Sequence, residues 1–191
     1  MMGVPFCALT QNGQSVAIND LLRGDFAAGD TIQYWSGTQY EGLTYRASST
    51  LNGVAMGPAW CEGRSTYSTK TLAPGDAFWI DTEAEVILVG QVADESTVSF
   101  GEQRLKMIAN PRPTDVAIND ITFTGLTAGD TIQIYTSTGY VGLTYRASST
   151  LNGVAMGPAW CEGRSTYSTK TIPAGTGFWI DAKESATATF N

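Results

Sequence analysis

GLTYRASSTLNGVAMGPAWCEGRSTYSTKT, residues 42–71, returns without a single change at 142–171. The likeness runs past the identical block in both directions: VAIND at 16–20 and 116–120, AGDTIQ at 28–33 and 128–133, FWID at 78–81 and 178–181. Between these the match decays, and LLRGDFA faces ITFTGLT. A period near 100 residues is too long for one solenoid unit and fits a duplicated small domain. The sequence therefore reads as two tandem modules, 1–92 and 93–191.

Within each module the pattern predicts strands. DTIQYW (30–35) and DTIQIY (130–135) follow Gly-Asp turns and carry β-branched and aromatic residues. YEGLTYRAS (40–48) alternates, with Leu43, Tyr45 and Ala47 on one face, and STYSTKTL (65–72) suits a solvated strand. DAFWID (76–81) follows an Ala-Pro-Gly-Asp turn, and EVILVGQV (85–92) is a continuous apolar run of the kind found in strands buried on both faces. INDLL (18–22) is the helix candidate, with Asn19 and Asp20 as N-caps. Short strands between Gly, Pro and Asp turns predict an all-β fold: two tandem small β-sandwich or barrel-like modules related by internal duplication.

RLKMIANPRPTDVAIND (104–120), IPAGTGFWI (172–180) and ATATF (186–190) carry a further signal. Through Asn110, Pro111, Pro113, Gly175, Gly177, Phe178 and Trp179 the chain resembles β-rich tandem-repeat modules of secreted and surface bacterial proteins. In those, an Asn-Pro-aromatic-Pro corner follows a strand, and a Pro-Ala-Gly-x-Gly-Phe-Trp turn opens a core strand. This chain departs at Arg112, where an aromatic is usual, and has GVPF at the matching place in module one. The resemblance implies a β fold and an extracellular or cell-surface location, and it implies no activity.

Composition excludes several classes. The net charge of −7 argues against a nucleic-acid partner, which needs a basic footprint. The identical copies are basic islands at +2 each (Arg46, Arg64 and Lys70 against Glu62, with their counterparts), so the remainder carries −11. No apolar run approaches the length of a membrane span, and MMGVPFCALT does not read as a secretory leader. The absence of histidine removes Ser-His-Asp triads, Cys-His pairs and His-based zinc sites, and no phosphate-binding glycine motif occurs. INDLLRGD clusters acids as oxygen-ligand sites do, but Asp25 becomes Gly125 in module two. No enzyme activity, metal or cofactor is expected.

Three sets of residues are candidates for contact. The duplicated AWCEGRSTY offers Trp60, Glu62, Arg64 and Tyr67, and Trp160, Glu162, Arg164 and Tyr167, as a glycan or lattice surface. The competing reading places the tryptophans in the core. Cys7, Cys61 and Cys161 form an odd set: Cys7 aligns with Arg112, so a Cys7–Cys61 disulfide leaves Cys161 for another chain, while three buried thiols fit the count equally. Strand exchange is the third. STVSF (96–100) precedes the first core strand of module two, and module one shows no equivalent. An open edge there recruits a strand, with Met2, Val4 and Phe6 as acceptors and Thr187, Thr189 and Phe190 as donors. Two matching modules joined head to tail would each keep one unused half of the contact and so propagate. The leading expectation is thus a non-enzymatic extracellular structural protein, a homo-oligomer or polymer building a filament, tube or coat. A glycan-binding adhesive module is the alternative.

Overall fold

The computed structural model describes residues 1–4, 6–7, 14–51, 54–64, 66–93, 96–101, 104–151, 154–163 and 166–190, with backbone alone for 6–7, 49, 51, 54, 56, 149, 151, 154 and 156. The chain is all-β and built of two similar halves. In module one a six-stranded antiparallel sheet runs Met2–Gly3, Ala77–Asp81, Thr31–Trp35, Tyr40–Arg46, Ala59–Glu62, Thr66–Tyr67. Module two repeats that order with Leu105–Ala109, Gly177–Asp181, Thr131–Thr136, Gly139–Arg146, Ala159–Glu162, Thr166–Tyr167. Among the described residues, no helix is long and apolar enough to cross a membrane.

Alternation fills the inner face of each sheet. Ile32, Leu43, Trp60 and Phe78 are buried in module one, as are Ile132, Leu143, Trp160 and Phe178 in module two. Small sheets close the core from below: Val16–Ala17 with Thr71–Leu72 and Leu22–Arg23 with Ile87–Leu88 in module one. In module two Val116–Ala117 pairs Thr171–Ile172, and Ala186–Phe190 lies between Ser96–Phe100 and Thr122–Thr124.

The shared motifs are clamps. Asn19 Nδ2 donates to the carbonyls of Trp60 (3.1 Å) and Ser68 (3.2 Å), and its Oδ1 accepts from the Trp60 N–H (2.8 Å). Asn119 repeats all three bonds at Trp160 and Ser168. The Asn of VAIND is therefore a tie between layers, and not the helix cap expected of it. The helix is one turn, Ile18–Leu21, without a side-chain cap. Asp30 and Asp130 close the AGD turns by accepting from Ala27 N and Thr127 N.

Two other expectations change. EVILVGQV forms two short strands, Ile87–Leu88 and Gln91–Val92, and Ile87 is 52% exposed. It lies at the border of its module, where one face lacks cover. STYSTKTL splits into Thr66–Tyr67 and Thr71–Leu72, the second contributing the buried Leu72.

The modules meet through a reciprocal contact. Met2 stands opposite Phe78 as Ile108 stands opposite Phe178, so Met2 corresponds to Ile108 and Gly3 to Ala109. This register is one residue from the sequence alignment, which set Met2 against Met107. Met2 bridges Thr176 and Ile108 bridges Asp76; Gly3 N–H donates to Gly175 O (2.6 Å) and Ala109 N–H to Gly75 O (2.8 Å). These bridges and bonds come in mirror pairs, which is the mark of a two-fold, isologous contact, while Gly177 N–H to Met1 O (3.4 Å) adds a bond from one side. Met107, Ala109, Ala77 and Trp179 form its buried centre, with Met1, Trp35 and Trp79 packed around them.

Candidate functional site

The residues proposed from AWCEGRSTY do not converge. Trp60 and Trp160 are each 1% exposed, in the two cores. Trp60 packs edge-on against Phe26 (5.0 Å) and Tyr45 (5.2 Å), and Trp160 against Phe123 (5.4 Å) and Tyr145 (5.3 Å). Their buried Nε1 atoms have no hydrogen-bond partner among the described residues, and the surrounding ring faces are weak acceptors for such N–H groups. A buried indole cannot stack on a ligand, so that part of the expectation is corrected. Glu62 and Glu162 accept from the Ser68 and Ser168 hydroxyls (3.1 and 3.2 Å). Tyr67 and Tyr167 stay 43% exposed, their hydroxyls donating to Gly57 O and Gly157 O. Arg64 is exposed, and Arg164 lies outside the described residues.

Cys61 and Cys161 are buried free thiols, each pushed above its ordinary pKa by burial, with Arg46 and Arg146 opposing. The expected Cys7–Cys61 disulfide is not formed, and burial closes Cys161 to another chain. The Cys7 side chain lies outside the described residues. The expected strand exchange also meets occupied edges. Met2 pairs Phe78, Val4 is fully buried with its N–H donated to Asp76 O, and Phe6–Cys7 pairs Gln91–Val92. Thr187, Thr189 and Phe190 lie on a strand hydrogen-bonded along both edges within its own chain. A strand with two partners has no ladder left to donate.

A different surface comes together at the reciprocal contact. Side chains alternate along strands, so burying Ile32 and Tyr34 sends Gln33 and Trp35 to the outer face, and burying Phe78 sends Trp79 there. Trp35 lies opposite Tyr40, and Gln33 opposite Gly42. Module two places Tyr135 opposite Tyr140 and Gln133 opposite Gly142. Trp179 then crosses the contact to pack on Trp35 (5.7 Å) and Tyr40 (6.2 Å), while Trp79 crosses the other way onto Tyr135 (5.3 Å). Trp35–Tyr40 and Tyr135–Tyr140 complete the array at 5.3 and 5.2 Å, all edge-on.

The two halves are continuous. Tyr40 is pushed above its ordinary pKa by packing; a hydrogen bond with the Trp79 side chain opposes the rise and the Tyr140 phenol adds to it. Tyr40, Tyr135 and Tyr140 remain about half exposed, at 47%, 48% and 51%. The period-two pattern of QYW and FWI held this signal: with Tyr34 and Phe78 inward, Trp35 and Trp79 must face out.

At one end of this surface lies a groove of about 600 Å³, with Trp35, Ser99, Arg104, Lys106 and Thr187 in its walls. Trp35 Nε1 donates to Leu105 O (3.1 Å), tying the wall of module one to the start of the Leu105–Ala109 strand of module two. A shallower recess holds Asp25, Asp30, Asp81 and Glu83. Among the described residues, no three His, Cys, Asp or Glu are placed to hold a metal ion. No protein-family model, curated protein or solved structure matches the chain.

Proposed function

We propose that the chain is a non-enzymatic carbohydrate-recognition protein of the cell surface or extracellular space, with the aromatic surface across the two modules as its binding face. The observation that carries this reading is the half-exposed set of Tyr40, Tyr135 and Tyr140 with the partly buried Trp35 and Trp79, backed from beneath by the buried Trp179, beside Gln33, Gly42, Gln133 and Gly142. Sugars present C–H faces that stack on aromatic rings, and their hydroxyls need amide and phenol partners. Glycines keep the flanking floor flat: a side-chain carbon at Gly142 would meet nothing within 4 Å. Soluble proteins rarely leave such an aromatic patch open without a use. Two related halves side by side suit an extended chain better than a single sugar, since each half adds contacts to the same ligand.

A panel of neutral and charged polysaccharides in affinity gel electrophoresis tests this. Tyr135→Ala with Tyr140→Ala is expected to weaken retardation by roughly fivefold or more, at about 0.5–1.5 kcal/mol per lost ring contact. Retardation by no polysaccharide, or by the double variant as strongly as by the unchanged protein, sinks the proposal.

Assembly into a filament or coat is the second reading, and one observation favours it. Ile87 and Val92 are exposed at 52% and 38%, on the border of module one where module two has Ser96–Phe100. It draws no support from the contact between modules, whose reciprocity leaves neither module a spare half. Sedimentation velocity of Ile87→Lys with Val92→Lys decides: polymers that persist in this variant, or none from the unchanged protein, remove the reading.

A further inference from the structure

The groove beside Trp35 differs chemically from the aromatic surface it adjoins. Its lining carries two cations, Arg104 and Lys106, with the hydroxyls of Ser36, Ser99, Thr124, Ser185 and Thr187, and no carboxylate side chain among the described residues. The chain as a whole carries a net charge of −7, and the described lining of this groove places cations without an acid beside the hydroxyls. A volume of about 600 Å³ falls in the usual range for small-ligand sites, roughly 300–1,000 Å³.

The cations are positioned but not saturated by the partners found for them. Lys106 Nζ donates to Ser99 O at 2.9 Å, which uses one of three N–H bonds and holds the ammonium against the groove wall. Arg104 meets Asp181 Oδ1 through Nε at 3.2 Å, an exposed pair with the Arg104 side chain 65% accessible. The terminal NH2 groups, which form the outer edge of the fork, take no part in that bond, and such an edge matches the two oxygens of a carboxylate. Arg104 also adopts a φ of +62°, a region that non-glycine residues rarely occupy. Backbone in that region at a pocket wall fixes where the side chain emerges.

Trp35 belongs to both places. Its ring packs with Tyr40 and Trp179 on the outer face, and the same residue walls the groove. A chain lying along the rings therefore runs past Trp35 into a basic, hydroxyl-lined pocket.

We infer that the groove beside Trp35 takes a carboxylate-bearing sugar of the glycan whose other units stack on the aromatic surface, with Lys106 and Arg104 binding the carboxylate. The inference rests on the carbohydrate reading above and adds charge selectivity to it.

The test sets polygalacturonate, alginate and glucuronoxylan each against its own carboxyl-reduced form, titrated into the full-length protein by calorimetry. At least one uronate form is expected to bind ten times or more tighter than its reduced partner, with the difference shrinking as salt rises. Lys106→Gln is expected to shrink that difference and Lys106→Gln with Arg104→Gln to erase it, both leaving affinity for the reduced form unchanged. That unchanged affinity also shows that the fold is intact. Equal binding of native and reduced forms overturns the charge assignment and leaves the aromatic surface standing. A difference that survives in the double variant overturns it too. Binding of neither form overturns both readings together.

Discussion

Asn19 illustrates how much a single side chain carries here. One amide makes three hydrogen bonds to the backbone of the Ala59–Glu62 strand and to Ser68, joining the sheet to the layer beneath. Asn19→Ala leaves two carbonyls and one N–H in a partly buried place, at about 1–3 kcal/mol for each group that water cannot reach. The midpoint of urea unfolding is expected to drop for Asn19→Ala and equally for Asn119→Ala, since the bonds recur. A drop in one alone would show that the modules do not share this tie. Tyr34 makes a sharper contrast between the modules. It is buried, and burial with the Glu41 hydrogen bond and the Glu41 and Glu62 charges pushes its pKa up to about 12. Module two has Ile134 and Val141 at these positions. The folded state thus holds the Tyr34 proton more tightly than the unfolded chain, in which the phenol titrates near 10. Its contribution is complete below pH 10 and fades as pH rises toward 12. Stability should fall less across that window in Tyr34→Phe than in the unchanged protein, measured by chemical unfolding at each pH. Equal falls would remove Tyr34 as the cause.

At the scale of elements, Thr31–Trp35 and Thr131–Thr136 were legible because they alternate around buried Ile32 and Ile132, and Ala77–Asp81 and Gly177–Asp181 because a turn signal precedes an apolar run. Ala59–Glu62, with Trp60 and Cys61 both buried, was not read as a strand. Ile32 and Phe78 fix the inward face, and the identical positions in module two confirm the phase. EVILVGQV misled because a run of apolar residues states that burial is needed but not on which side. At the border of module one part of that need goes unmet, leaving Ile87 exposed. The site was harder to read. AWCEGRSTY looked like a surface because its Trp, Glu and Arg are neighbours in sequence, yet alternation turns Trp60 inward. The aromatic array was concealed for the opposite reason, since its members are scattered from Trp35 to Trp179 and meet only when the modules do. The C-terminal strand supplies a test at this scale. Ala186, Ala188 and Phe190 are buried, and both edges of the strand are hydrogen-bonded. Removing residues 186–191 strips two ladders and the Phe190 ring from the core of module two. Circular dichroism during heating is expected to show module two losing its cooperative transition. A truncated protein that melts like the intact one would contradict the central place given to this strand.

The whole molecule turns on the reciprocal contact. Head-to-tail joining of equal modules would leave complementary surfaces at the two ends, but the two-fold arrangement spends the same surface from both modules on one another. The contact also builds the aromatic array, because Trp79 and Trp179 each complete a cluster on the opposite module. The proposed binding face and the packing of the halves therefore depend on the same residues. Gly3 is the point at which to separate them. A side-chain carbon there would overlap the Ala109 Cβ and crowd Gly175 O, so the backbones approach closely only because Gly3 has none. Gly3→Val should prise the modules apart while leaving their separate cores, which lie on the inner faces, intact. Small-angle scattering is expected to show a larger radius of gyration, tryptophan fluorescence a red shift, and polysaccharide retardation a loss as large as that from removing the tyrosines. Preserved binding in a protein whose modules have come apart would mean that one half of the array suffices, and the extended ligand proposed across both would then have to be given up.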